Sequence, residues 1–63
     1  MKSELVVKVG LGVSVRRSTM AVRQQYQVWD GTSIWSFAYT EAEARADAAR
    51  HYARKQEMAE EVA

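Results

Sequence analysis

Apolar and polar residues alternate along the first part of the chain. Leu5, Val7, Val9, Leu11, Val13 and Val15 fall on one side of the pattern, and Val6, Lys8, Gly10, Gly12, Ser14 and Arg16 on the other. A period of two rich in β-branched residues predicts a strand over 5–15 with one buried face. Both glycines then lie on its outer face. Interior glycines let a long strand bend or bulge so that it stays on a short helix, and a bare patch also lets a partner come close. The Gly10–Leu11–Gly12 run is not a phosphate loop, which needs a third glycine and a helix opening directly afterwards.

A turn is expected around Arg17–Ser18–Thr19–Met20, then a strand over 21–29, a tight turn at Asp30–Gly31 and a third strand over 32–40. With a two-residue loop there, Trp29 faces Thr32 and Tyr26 faces Trp35. The core face of this hairpin is then Val22, Tyr26, Val28, Trp35, Phe37 and Tyr39. The opposite face carries Arg23, Gln25, Gln27, Trp29, Ile34, Ser36 and Ala38. A slip of one residue would invert the two sets.

The period changes at Thr40. Thr40–Glu41–Ala42–Glu43 has the form of a capping box, with Glu41 and Glu43 at the positive end of the helix it opens. The helix should run from Glu41 to about Glu60. Ala42, Ala46, Ala49 and Ala53, with Tyr52 beside them, form a stripe at helical spacing. Small residues on the helix would meet large ones on the sheet. Glu57, Glu60 and Glu61 oppose the helix dipole, so the last turn should fray. The expected fold is α+β: a three-stranded antiparallel meander with one C-terminal helix packed on one face, a single β-β-β-α domain over 1–63.

With 63 residues the core is thin; a chain this short buries only about 60% of its unfolded surface. The chain has no Cys and one His, so disulfides, thiolate metal sites and a zinc site built from imidazoles are excluded. No metal and no cofactor are expected. Association with a partner or a second copy is the remaining route to extra burial. Glu4 and Lys8 interrupt any signal-peptide core, and no apolar run approaches the ~20 residues of a membrane span. A cytoplasmic location is expected.

The net charge is +1 but unevenly spread: residues 1–40 carry five Lys/Arg against two carboxylates, and residues 41–63 carry four against six. This falls short of the footprint of a dedicated DNA binder.

Candidate chemistry is sparse. His51 lacks a readable carboxylate–His–nucleophile trio, and Asp47 one turn earlier explains it as an i,i+4 contact. Tyr52 reads as core. Arg50, Arg54 and Lys55 interleave with Asp47 and Glu57 as a salt-bridged exposed ridge. Arg16–Arg17 reads as a solvated turn in preference to a phosphate contact, since two charges are a low bar for the latter. One layer on one layer leaves little room for a pocket of ~300 Å³ or more, so no enzymatic activity is expected. The informative feature is the sheet face the helix leaves uncovered, with Lys8, Arg16, Arg23, Gln25, Gln27, Trp29, Ile34 and Ser36. Long polar side chains with Trp and Ile among them suit a binding surface.

The segment YQVWDGTSIWSFAYTEAEA, Tyr26 to Ala44, resembles the N-terminal arm-site DNA-binding domain of phage tyrosine integrases. That resemblance implies a three-stranded sheet placed in the DNA major groove, with Arg23, Gln25, Gln27 and Trp29 facing the DNA. The chain lacks the dense Lys/Arg strands of that family. In its size, its one sheet and one helix and its patchy charge, it is also similar to phage-encoded host-takeover proteins of the anti-CRISPR kind. That resemblance implies a protein that binds a bacterial complex and blocks it sterically.

The expected function is therefore non-enzymatic binding. A phage or mobile-element inhibitor would dock its open sheet face on a bacterial protein or nucleoprotein complex, such as a CRISPR effector. Trp29 and Ile34 would be apolar anchors, and Arg16, Arg23, Gln25 and Gln27 would orient the contact. A small sheet-based DNA-binding module is the alternative. A homodimer through the uncovered face or the edge of the first strand is compatible with both.

Overall fold

The structure, a computed structural model, describes residues 3–19 and 25–62. It is an antiparallel sheet followed by one helix, and so α+β: β1 Ser3–Gly10, β2 Val13–Ser18, β3 Tyr26–Asp30, β4 Ser33–Ala38 and α1 Glu41–Val62. The sheet has four strands in the order β1-β2-β3-β4, not the expected three. The apolar alternation over 5–15 is two strands folded back on each other, not one long one. Arg23 and Val22, and with them the first part of the strand expected over 21–29, lie outside the described residues.

The two glycines make the difference. Gly10 pairs with Val13 across a two-residue turn, Leu11–Gly12, in which φ is +52° and +85°. Two positive φ values in succession are the signature of the tight primed hairpin turn whose twist matches the flanking strands. Gly10 has φ +143°, and a Cβ there would stand 2.8 Å from Cε1 of Tyr52. The bare position of the first strand is therefore filled from within the molecule, by a ring from the helix.

Strand β1 then slips twice against β2, at Val6 and at Val9, each an extra residue in the ladder. These bulges break the period of two. Leu5 pairs with Arg16 on the face away from the helix and is exposed, contrary to its expected core position, while Val6, Val7 and Val9 all pack on the core.

The second hairpin departs in the same way. Its turn is Gly31–Thr32, flanked by the Asp30–Ser33 pair, one residue later than expected. That shift alone preserves the faces. The extra residue does not: Val28 pairs with Ser36 and Trp29 with Ile34, which leaves Trp35 bulged and inverts every later position of β4. Ser36 and Ala38 thus turn toward the helix, where Ala38 is buried, whereas the expected core residues Phe37 and Tyr39 are exposed.

Helix α1 opens as the capping residues require. The Thr40 hydroxyl accepts from the Glu43 N–H at 3.2 Å, and the Thr40 carbonyl accepts from the Ala44 N–H. The hydroxyl also donates to the Glu43 carboxylate at 3.1 Å. The buried helical residues are Ala44 and Ala48, with Glu41, Asp47, His51, Tyr52 and Lys55 half-buried beside them. The expected stripe of Ala42, Ala46, Ala49 and Ala53 is exposed. Alanines occur on nearly every side of this helix, so they do not set its phase; Tyr52, His51 and Lys55, which reach the sheet, do.

The core is small. Val13, Val15, Val28, Ala38, Ala44 and Ala48 are buried, and no described residue larger than valine is fully so. The small helical residues bring the axis close to the β-branched face of the middle strands. Within residues 41–61 Lys55 is the last to face the sheet, and residues 56–61 are exposed. The helix continues to Val62 despite its acidic end and the absence of a basic residue in its last turn. Among the described residues, no helix is long and apolar enough to cross a membrane.

Candidate partner-binding face

With α1 on one side, the other side of the sheet is uncovered. Directly paired residues share a face, so the pairings define its occupants. Leu5 with Arg16, Lys8 with Ser14, Ser14 with Trp29, Arg16 with Gln27, Trp29 with Ile34 and Gln27 with Phe37 all lie on it.

At its centre three side chains hold one another. Arg16 Nε donates to Ser3 Oγ at 3.0 Å, and the guanidinium carbon stands 5.7 Å from the centroid of the Trp29 ring. Trp29 Nε1 donates to Gln27 Oε1 at 2.8 Å. The alternating period of β3 places Gln27 and Trp29 on the same face, two residues apart, which is why they can pair. The cation over the indole and the indole on the amide leave each group oriented before any partner arrives.

Apolar surface surrounds this centre. Leu5, Ile34 and Phe37 are exposed at 46%, 41% and 51%. A concavity of about 310 Å³, a size the one-layer-on-one-layer architecture is not expected to leave, lies along the first hairpin, lined by Leu5, Lys8, Gly10, Gly12, Val13, Ser14 and Arg16. Lys8 and Arg16 are the charged groups of this face, and no carboxylate lies on it among the described residues. Glu4 pairs with Arg17 on the other face at 2.6 Å, and Asp30 turns toward the helix. The surface is apolar at its centre and mildly positive.

Of the six expected contact residues, the structure brings together Arg16, Gln27, Trp29 and Ile34 on one face. Gln25 is exposed just before β3, and Arg23 lies outside the described residues. Leu5 and Phe37, which the alternation places in the core, belong to the face. Lys8 stands there as expected, while Ser36 does not: it turns to the helix, and its buried hydroxyl has no hydrogen-bond partner among the described residues.

A second cluster lies on the helix side, at the end of the sheet where both hairpins turn. Asp30 accepts from Lys55 Nζ at 2.7 Å and pairs with His51 Nε2 at 2.8 Å. Lys55 also donates to the Leu11 carbonyl at 2.7 Å, and Trp35 stacks on the His51 ring with centroids 4.3 Å apart. The hydrogen bonds from Lys55, then His51, hold the Asp30 carboxyl below the usual carboxylate range. His51 thus pairs across the fold rather than with Asp47, which is taken by Arg50. These contacts tie the helix to both turns, a structural task. Among the described residues no group of three or more His, Cys, Asp or Glu is placed to hold a metal ion.

Comparison with protein-family models, with curated proteins and with solved structures finds no match to this chain.

Proposed function

We propose that this chain is a non-enzymatic binding protein that docks through its uncovered sheet face on a bacterial protein or nucleoprotein complex and blocks it sterically. A phage or mobile-element inhibitor of a complex such as a CRISPR effector is the concrete form of this reading. The observation that supports it is the pre-oriented Arg16–Trp29–Gln27 centre within exposed Leu5, Ile34 and Phe37. Trp and Arg dominate the energetics of protein interfaces, and apolar neighbours exclude water around them. Side chains already held in place lose little freedom on binding. The positive character of the face favours a partner surface with an apolar patch and an acidic rim.

The test is affinity capture from bacterial lysate with the wild-type chain and with Trp29→Ala. A specific complex captured by the first should bind the second about 30-fold or more weakly, the loss expected of an interface anchor. Circular dichroism should be unchanged, because Trp29 lies outside the core. Equal capture by both would remove Trp29 from the interface and with it this reading.

The alternative, a sheet-based DNA-binding module, draws on the same Lys8 and Arg16. Two phosphate contacts give a log–log salt slope of only about −2. Duplex binding with a much steeper slope, measured by fluorescence anisotropy and lost in Arg16→Ala, would favour DNA over a protein partner.

A further inference from the structure

The strand order leaves two edges, β1 and β4, and they are unlike. Strand β1 carries two bulges and the charged residues Glu4 and Lys8. Bulges and charges are the usual means by which an edge is kept from pairing with another strand. Strand β4, Ser-Ile-Trp-Ser-Phe-Ala, has no charged residue and no proline. Its one bulge, at Trp35, arises against β3 and leaves Ser36–Ala38 regular. Ile34, Trp35, Phe37 and the following Tyr39 are exposed at 41%, 46%, 51% and 61%. Of the seven exposed large hydrophobic residues among those described, four thus stand on or beside this one edge.

We infer that β4 is the dimerisation edge of the protein, pairing antiparallel with β4 of a second copy across a two-fold axis. A strand without charge meets its own copy with no like charges opposed, which suits a self-complementary contact. The buried area is of the right order. An aromatic side chain buries about 150–250 Å². Half of that from each of the three aromatic side chains, with a smaller share from Ile34, gives roughly 700 Å² over the two copies, and the paired backbone edges bring the total toward the ~1,200 Å² at which specific interfaces begin. The small core supplies the need, since chains of this size commonly gain stability by association.

Edge pairing of this kind sets the two-fold axis perpendicular to the sheet. The result is one eight-stranded sheet with both helices on one side and both uncovered faces on the other. The dimer presents two Arg16–Trp29–Gln27 centres on one side, with Ile34 and Phe37 of each copy at the seam between them, and its formation does not depend on what those centres bind.

Light scattering coupled to gel filtration, over a dilution series of the full chain, tests the inference. The expected mass is twice the 7.2 kDa of the chain at high concentration, falling toward the monomer on dilution. Phe37→Lys and Ile34→Lys should each weaken association at least tenfold while keeping the circular dichroism of the parent. Leu5→Lys, on the same face but at the β1 side, should leave it unchanged. Amide exchange of the unaltered chain gives a readout that no substitution disturbs: the outward amides of Ser33–Ala38 should exchange more slowly in concentrated than in dilute protein. A monomer throughout the series, a dimer that survives both β4 variants, a dimer lost in Leu5→Lys, or β4 exchange independent of concentration would each overturn the inference.

Discussion

Asp30 shows how much of this fold depends on a single side chain. Placed at the end of β3, it receives Lys55 and His51 from the helix, and Lys55 reaches on to the Leu11 carbonyl in the other turn. Because these partners favour its ionised form, its folded pKa lies below its unfolded value. A depressed carboxylate contributes stability that is present above the unfolded pKa and is lost as pH falls through the folded one. Urea midpoints measured against pH should therefore drop below about pH 4, the ordinary aspartate range. Asp30→Asn should start lower at neutral pH and lose less of its midpoint on acidification. Equal midpoints for the two chains at neutral pH would show that the cluster does not tie the helix down. None of this was legible in the sequence. Asp30–Gly31 reads as a turn, and His51 has Asp47 at the ideal helical spacing. Only the helix phase, a tertiary property, hands Asp47 to Arg50 and His51 to Asp30.

The turn of the first hairpin carries a testable strain. Leu11 has φ +52°, a conformation that costs an ordinary side chain about 1–2 kcal/mol and that asparagine tolerates better. Asn-Gly is the preferred pair for this turn. The Leu11 side chain is half exposed, and its contact with Lys55 is through the carbonyl, which any residue keeps. Leu11→Asn should raise stability by about 0.5–1 kcal/mol, read as a higher midpoint in urea. A lower midpoint would mean that the leucine side chain packs in a way its exposure does not suggest. At this scale the sequence was half legible. The capping threonine and the start of the helix are local properties, and they stand where the pattern puts them; strand character is local too but departs from the pattern at Leu11–Gly12, which is a turn, and at Arg17–Ser18, which belongs to β2. The bulges at Val6, Val9 and Trp35 are not local. Each inserts one residue into a ladder and moves the residues beyond it to the other face, which sent Leu5, Ser36, Phe37 and Ala38 to the wrong side. The two glycines were visible, but strict alternation through them suggested a continuous strand.

The molecule as a whole is one-sided. A single helix covers one face of a four-stranded sheet and leaves the other to a pre-oriented Arg–Trp–Gln centre ringed by apolar groups. Charge follows the same division: carboxylates lie on the helix and beside it, and the open face carries Lys8 and Arg16. Four of the six expected contact residues share that face because the alternation of β2 and β3 is regular and Ile34 precedes the bulge in β4, whereas Leu5 and Phe37 were hidden by the bulges. A partner that docks on this molecule should meet this face. The most direct test is photo-crosslinking in bacterial cells, with a benzophenone amino acid in place of Leu5 on the open face or of Ala49 on the exposed side of the helix. A heavier protein adduct is expected from the Leu5 position and none from Ala49. An adduct from Ala49 with none from Leu5 would contradict it and move the binding surface to the helix.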